Sequence, residues 1–442
     1  MRLLYLYTWV CLQYALRLYF KRVSVRNQSH FRRGRTIFVC NHQGSFMDPL
    51  LIATFRKPII YFMVRADVFN KFTERIFWSA HMLPIYRQRD GGDSIEKNQA
   101  VFDRTNTLLA KKNNILIFGE GFTHDRIQRR LHPIKKGPAR IGFSALIADG
   151  WQNDIYMQGL GINYADFNLR GSEVLVDAGV PICLNDFKEQ YLANPSRTIS
   201  EITQKIENSM RTLIPDVKDP DWSDFHEDIM MFTRKGIHPR CFEPTTEYEE
   251  RWKYALRLAK WIDAKSEEAL HELLPLKASI ERYKLNLKEA GVHENERYEM
   301  KSGTFFSLRS SLLCMLTLPF SLLGLVHTAL PIHLIKKWVE KKFKRQVYWG
   351  STKMVLAFFI IPLINLPVIF LLPRVLPFDP IWNWVFSGIY FLSLGVFAWS
   401  YLKLQALILK ILRYYKLKNM DLETHTHEYE RILQQIENTI SL

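Results

Sequence analysis

Cysteine is scarce in this 442-residue chain, which argues against a small protein held together by disulfides or by structural zinc. The five cysteines, Cys11, Cys40, Cys183, Cys241 and Cys314, lie far apart, and no two have the spacing of metal ligands. An odd number of scattered cysteines predicts neither a disulfide framework nor a structural zinc site. We therefore expect the chain to fold in a reducing compartment.

Acidic residues are absent from the first 47 positions, which contain eight lysines and arginines. Residues 1–28 combine this charge with many leucines and aromatic residues, which is typical of an amphipathic helix lying in a membrane interface. Over the whole chain, 60 Lys and Arg against 44 Asp and Glu give a net charge of +16. That charge predicts an anionic partner: nucleic acid, an acidic membrane surface or an acidic substrate.

Charged residues are also missing from three long runs, 310–335, 354–373 and 380–402. Each run reaches the length of about 20 apolar residues that crosses a bilayer as a helix. Residues 301–410 are therefore predicted to form a membrane-embedded hydrophobic region. Three crossings would put the basic loop 336–345 on the side opposite the basic N-terminal region, against the positive-inside tendency. We therefore expect the first run to turn back within the membrane.

Short β-rich segments alternate with helical ones over residues 29–190, which predicts an α/β domain with a mixed sheet and helices on both faces. The predicted strands are 36–40, 59–63, 115–118, 157–164 and 173–176, and the predicted helices are 67–82, 94–112 and 137–150.

Two further segments are predicted to be helical. Residues 191–300 are rich in charged helix-forming residues and are predicted to be a helical linker domain. In the last segment, 411–442, the apolar residues Tyr429, Ile432, Ile436 and Ile440 recur at helical spacing, which predicts a C-terminal amphipathic helix.

The end of the first predicted strand carries a candidate general base. His42 is followed six positions later by Asp48, across a turn that contains Gly44. A carboxylate on one imidazole nitrogen fixes the tautomer and stabilises the imidazolium that forms when the other nitrogen takes a proton from an alcohol. A His and an Asp at this spacing are more often structural, so the interpretation depends on supporting residues.

Two later segments offer groups that suit a phosphate or a polyol. Arg87 follows a short β-like run, and its guanidinium group fits phosphate oxygens. Glu120 comes directly after a predicted strand, between Gly119 and Gly121, and glycines there leave backbone amides free to bind an anion. A surface charge and an ordinary turn explain the same residues equally well when each is taken alone.

Together these segments resemble the ordered motifs of the glycerophosphate and lysophospholipid acyltransferases over about residues 35–185. Asn41, His42 and Asp48 resemble the first motif, NHxxxxD, with one extra residue, and Arg87 resembles the end of the second. The run 118–121 reads FGEG where the family usually has FPEG, and Gly161–Tyr164 loosely resembles the fourth motif. Lys135 matches the family lysine in a wider pattern of the branch that acylates glycerol 3-phosphate.

The resemblance implies a glycerophosphate acyltransferase-like fold and a membrane-bound O-acyltransferase. His42 and Asp48 would be catalytic, and the substrate-binding residues would be Asn41, Arg87, Glu120, Gly121 and Lys135. The expected acyl donor is acyl-CoA or acyl carrier protein, with no further cofactor and no metal. The expected acceptor is glycerol 3-phosphate or 1-acylglycerol 3-phosphate, and the expected location is the cytoplasmic face of a membrane.

Three alternatives stay open. The acceptor can be another lysophospholipid or a lyso-aminolipid, because pocket depth decides acceptor breadth. Water in place of the alcohol would make the protein a hydrolase. A non-enzymatic membrane scaffold or a nucleic-acid-binding protein would also use the positive charge, although no nucleic-acid-binding module is recognisable and the basic residues lie beside apolar segments.

Overall fold

A computed structural model describes residues 2–55, 60–69, 74–85, 94–304, 306 and 308–441. The chain divides into two compact units, one ending at Lys265 and the other comprising Ser266–Ser441. Each unit is described by itself.

The first unit is built on an eight-stranded sheet. Its strands are β1 (Arg22–Arg26), β2 (Thr36–Cys40), β3 (Ile60–Arg65), β4 (Met82–Ile85), β5 (Asn114–Phe118), β6 (Tyr156–Tyr164), β7 (Glu173–Ala178) and β8 (Ile182–Cys183). The order is β1-β7-β6-β2-β5-β3-β4, with β8 paired to β6. Strand β6 runs antiparallel to β7 and β8, and the other pairs are parallel, so the predicted mixed sheet is confirmed.

Helices cover both faces of this sheet, as predicted. They are α1 (Arg2–Tyr19), α2 (Met47–Phe55), α3 (Glu74–Ser79), α4 (Ser94–Ala110), α5 (Gly137–Ala148), α6 (Lys188–Ala193), α7 (Pro195–Arg211), α8 (Ser223–Thr233) and α9 (Tyr248–Asp263). Alternate residues of β2 point to opposite faces. Ile37 and Val39 join a buried cluster with α4, α5 and α7. On the other face, the ring of Phe38 packs edge-on against the ring of Phe31, with 6.2 Å between their centroids.

The sequence interpretation found five of the strands, noted a short β-like run before Arg87 in the region of β4, and missed β1 and β8. The predicted helix 67–82 is wrong at its end, because Met82 begins β4, and the α-helix that the structure describes there is only Glu74–Ser79. Strand β4 is short and contains Pro84, which weakens a period-two pattern. The other two predicted helices correspond to α4 and α5.

Every secondary-structure element that the structure describes in the second unit is a helix. Its helices are α10 (Glu267–Glu272), α11 (Leu274–Glu289), α12 (Glu294–Lys301), α13 (Leu308–Leu316), α14 (Leu318–Lys342), α15 (Trp349–Leu371), α16 (Pro380–Leu392), α17 (Leu394–Lys418) and α18 (Glu423–Thr439). Three spans are long and apolar enough to cross a membrane: Leu318–Lys342, Gln346–Arg374 and Leu394–Lys418.

The apolar runs match these helices with two differences. The first run, 310–335, is divided at Thr317 between α13 and α14, and Pro331 lies inside the continuous helix α14. The predicted turn of this run within the membrane stays a prediction. The third run, 380–402, is divided at Ser393 between the short α16 and the longer α17, so the third candidate span lies further along the chain than predicted.

The predicted amphipathic helix of 411–442 is observed as α18, after α17 has continued to Lys418. Tyr429, Ile432 and Ile436 are buried, and α18 packs against α11. Its apolar face is therefore covered within the second unit.

The helices of residues 195–265 lie in the same compact unit as the sheet. Met210 of α7, for example, fills the space over Gly159 of β6. The five-segment division at 28/29, 190/191, 300/301 and 410/411 stays a prediction.

Candidate active site

The candidate site lies at the carboxyl ends of two central parallel strands. His42 follows β2 and Glu120 follows β5, and β2 pairs in parallel with both β5 and β6. The backbone N–H of Gly119 donates to the carbonyl of Cys40 at 3.2 Å, which joins the two loops directly after their strands. Ligands of open α/β sheets bind at this kind of edge.

His42 and Asp48 form the expected pair. Nδ1 of His42 lies 2.8 Å from Oδ2 of Asp48. The Asp48 side chain is completely buried, whereas that of His42 is 19% exposed. The imidazole stacks on the ring of Phe118, with 4.0 Å between the centroids and 14° between the planes. Nε2 of His42 makes no hydrogen bond to any residue that the structure describes, so it is available to a substrate.

Two donors other than His42 hold Asp48 through three hydrogen bonds. The backbone N–H of Gly44 donates to both carboxylate oxygens, at 3.1 and 2.9 Å, and the hydroxyl of Tyr164 donates to Oδ1 at 2.7 Å. A Cβ at Gly44 would lie 2.7 Å from Oδ1 of Asp48, so only glycine permits this approach.

Sequence reasoning missed Tyr164 as a site residue. It lies at the end of β6, in the segment that resembles the fourth family motif only loosely. Burial and the neighbouring Asp48 raise the pKa of its hydroxyl well above the ordinary value, so it remains a donor. The signal in the sequence was a polar aromatic residue at the carboxyl end of a predicted strand.

In this structure the carboxylate of Glu120 holds the backbone of two loops in place. Oε1 accepts the backbone N–H of His42 at 2.8 Å, and Oε2 accepts that of His132 at 3.3 Å. The residue is 3% exposed. Burial raises the pKa of its carboxyl to about 7, with the two backbone donors opposing that shift and the negative charge of Asp48 adding to it.

Asn41 is likewise held by backbone groups. Its Nδ2 donates to the carbonyl of Ile162 at 3.0 Å, and its Oδ1 accepts the N–H of Ile162 at 2.7 Å. The side chain thereby extends the pairing of β2 with β6 beyond Cys40. The substrate-binding roles predicted for Asn41 and Glu120 stay predictions.

The structure places two further predicted residues beside Glu120. Gly121 turns with φ +76°, and a Cβ there would lie 3.9 Å from Cγ of Lys135. The backbone N–H of Lys135 donates to the carbonyl of Gly119 at 2.9 Å. Lys135 is exposed, so its ammonium group is available to an anion at this edge. Arg87 lies outside the described residues.

Part of the chain is similar to known proteins. The model of the acyltransferase family matches residues 22–162. Glycerol-3-phosphate O-acyltransferase 2 of Saccharomyces cerevisiae is 32% identical over 130 residues, which is 29% of this chain and 17% of that protein. The match thus spans only about a sixth of this relative's length. A solved structure, the 1-acyl-sn-glycerophosphate acyltransferase PlsC of Thermotoga maritima, aligns with 43% of this chain and 78% of that chain, at 16% identity and a TM-score of 0.29.

The matched segment, residues 22–162, is similar to the acyltransferase family. The resemblance inferred from the sequence motifs is therefore confirmed for this part of the chain, which includes His42, Asp48 and Glu120.

One departure of this acyltransferase domain from the family pattern has a structural reason. A Cβ at Gly119, where the family usually has proline, would lie 2.9 Å from side-chain atoms of both Val39 and Ile134. A proline there would also lack the N–H that Gly119 donates to Cys40. Glycine therefore suits the close packing of this loop on β2.

Among the described residues, no three His, Cys, Asp or Glu side chains lie together as a metal site would require. The two carboxylates nearest His42 have their oxygens occupied by backbone and tyrosine donors, as described above.

Proposed function

We propose that this protein is a membrane-bound O-acyltransferase that moves a fatty acyl group from acyl-CoA or acyl carrier protein to a glycerophosphate hydroxyl. The acceptor is glycerol 3-phosphate or 1-acylglycerol 3-phosphate, and the reaction belongs to phospholipid biosynthesis. The observation that carries the proposal is the 2.8 Å contact of His42 with the buried Asp48, which leaves Nε2 available in an acyltransferase-family domain.

The reaction follows from this pair. Nε2 of His42 takes the proton of the acceptor hydroxyl, and the oxygen attacks the thioester carbonyl of the donor. The C–S bond breaks as the new C–O ester bond forms, and the imidazolium returns its proton to the departing thiolate. Asp48 stabilises the imidazolium between these two proton transfers.

Lys135 and Arg87 bind the phosphate of the acceptor in this proposal. Lys135 is exposed beside the Glu120 loop, and a lysine ammonium is an effective point charge for phosphate. Glu120 keeps the loop of Gly121 in place through its bonds to the backbone at His42 and His132.

Exposed apolar side chains near the site suit an acyl chain or a bilayer surface. Phe46 is 43% exposed on the loop after His42, and Phe122 is 41% exposed on the loop after Glu120. Helix α1 presents Leu6, Val10 and Tyr14 to solvent at a spacing of four residues, which makes one apolar stripe. With the three candidate spans, these features support a membrane-bound enzyme. The proposal places its site at the cytoplasmic face of the membrane.

The test is acyl transfer by His42→Ala in membranes that contain equal amounts of wild-type and variant protein. We expect turnover to fall by about two to three powers of ten, the scale of a lost general base. His271→Ala is the matched control, because His271 is an exposed histidine on α10. Wild-type turnover by the folded His42→Ala protein would remove His42 from the mechanism.

A further inference from the structure

A second cationic site lies at the opposite end of the sheet from His42. A cavity of about 530 Å³ is bordered by Arg32, Arg33, Arg35 and Lys112, with Asp154 as its one acidic side chain. Arg35 directly precedes β2, whereas His42 follows it. At about 3.3 Å per residue, these seven positions correspond to roughly 20 Å. The cavity is therefore separate from the candidate active site.

Backbone geometry brings these cations together. The amino ends of the parallel strands β2, β5 and β6 meet at this edge, because Thr36 pairs with both Asn114 and Tyr156. Arg35 has φ +48° and Lys112 has φ +59°, a left-handed conformation that side chains other than glycine seldom adopt. Such residues occur preferentially at ligand-binding sites, where the surrounding structure maintains the strain.

The cations of this cavity have few partners of their own. None of the four lies within ion-pair distance of an acidic side chain in the described part of the chain. The guanidinium of Arg32 lies over the ring of Tyr156 at 4.0 Å. One terminal nitrogen of Arg35 reaches the carbonyl of Ala110 only at 3.5 Å, and its Nε is buried without a hydrogen-bond partner.

The one acid of the cavity is already engaged. Oδ2 of Asp154 accepts the hydroxyl of Tyr156 at 3.3 Å. Four cations against one carboxylate leave a surplus of positive charge around a concave space. Buried donors without acceptors are rare in native proteins, and Arg35 Nε is one of them.

We propose that this cavity binds a phosphomonoester group, carried by a soluble phosphate compound or by a lipid headgroup. Arginine forks match phosphate oxygens in geometry and charge, and Arg35 Nε would gain the acceptor that it lacks. The volume lies within the range of small-molecule sites, roughly 300–1,000 Å³. The site is independent of acyl transfer, because it contains none of the residues proposed to catalyse it.

The experiment compares three full-length proteins in detergent: wild type, Arg33→Gln/Arg35→Gln, and the control Arg197→Gln/Arg257→Gln. The control removes the same charge from exposed arginines of α7 and α9. Inorganic phosphate is titrated at constant ionic strength while the midpoint of thermal unfolding is recorded. We expect a saturable rise in wild type and control, and at least a tenfold weaker apparent affinity in Arg33→Gln/Arg35→Gln.

A lipid arm identifies the source of the phosphate. The same proteins are mixed with phosphatidylcholine vesicles with and without phosphatidate, and sedimentation with the vesicles is measured. A loss confined to Arg33→Gln/Arg35→Gln in either arm supports the proposal, and the arm in which it occurs shows whether soluble phosphate or a headgroup is bound. Equal responses of all three proteins in both arms, or no response of wild type in either, would overturn it. Arg33→Gln alone replaces the double variant if the latter fails to fold.

Discussion

The two ends of the central strand β2 differ in how their charged groups are held. At the carboxyl end, Asp48 and Glu120 are buried and their oxygens accept hydrogen bonds from backbone groups, Tyr164 and His42. At the amino end, Arg32, Arg33, Arg35 and Lys112 border an open cavity without ion pairs to the described acidic residues.

This difference separates the residues proposed to take part in the reaction from those proposed to bind a ligand. A general base must be held in one orientation before the substrate arrives, and a network of buried hydrogen bonds provides that orientation. A binding site for an anion keeps its donors available until the ligand supplies the acceptors. Substitutions in the buried network of Asp48 at the carboxyl end should therefore act on turnover, and amino-end substitutions on ligand affinity.

The largest effect that we predict at the carboxyl end, after loss of His42 itself, is that of Asp48→Asn. The amide cannot accept all the donors that surround this position and no longer stabilises the imidazolium. We expect turnover to fall about a hundredfold, as measured by initial rates at saturating substrates. A loss confined to the acceptor KM would mean that Asp48 only shapes the pocket.

Tyr164→Phe should have the next largest effect. It removes one donor from Asp48 and leaves the ring in place, and a hydrogen bond to a charged group contributes about 1.5–3 kcal/mol. We expect kcat to fall roughly tenfold, which corresponds to about 1.4 kcal/mol, with an unchanged acceptor KM. Tyr248→Phe is the matched control, since Tyr248 is buried and donates to the carbonyl of Asn163 at 3.0 Å. Equal losses of kcat in the two variants would mean that the Tyr164 hydroxyl has no specific effect on the His42–Asp48 pair.

Lys135→Gln should separate binding from chemistry at the same end. The exposed ammonium is proposed to contact the acceptor phosphate. We expect the KM for the acceptor to rise severalfold while kcat changes little, as for the loss of binding that is equal in ground state and transition state. Steady-state kinetics with varied acceptor concentration measures this, with exposed Lys136 as the control position. An unaltered KM would mean that groups other than Lys135 bind the acceptor phosphate.

Glu120→Gln should have the smallest effect on turnover and a distinct effect on stability. The pKa of the Glu120 carboxyl is about 7 in the fold against 4.5 in the unfolded chain. The folded protein thus keeps this proton over a range where the unfolded chain releases it, so the free energy of unfolding falls as pH rises from 4.5 to above 7. The fall is at most about 3 kcal/mol.

Thermal unfolding of the two proteins between pH 5 and pH 8 measures that difference. We expect wild type to lose more stability over this interval than Glu120→Gln, which has no carboxyl to ionise at this position. The same pH slope in both proteins would show that Glu120 does not titrate in this range.

The sequence predicted the pair His42–Asp48 because both residues lie on one short segment after a recognisable strand. Local spacing carries that information. The role of Tyr164 depends on a contact between residues 116 positions apart, which no local pattern encodes. The same holds for the amino-end cavity, where Arg35 and Lys112 meet because their strands pair in parallel.

The strands that the sequence predicted and the strand β1 that it missed differ in how apolar they are. Strands β2 and β5 are continuous apolar runs, as buried parallel strands should be, and they were found. Strand β1 reads Arg-Val-Ser-Val-Arg at the edge of the sheet, and its pairing with β7 across the chain gives it strand structure that composition does not predict. The length of the uncharged runs likewise predicted the candidate membrane-spanning helices but not the break at Ser393.

The most direct test of the central claim is transfer of a labelled acyl group from acyl-CoA by membranes that contain the wild-type protein, with glycerol 3-phosphate and 1-acylglycerol 3-phosphate as separate acceptors. The account predicts a labelled ester of at least one acceptor, formed with stoichiometric release of CoA. Labelled free fatty acid alone, or no product with either acceptor, would contradict it.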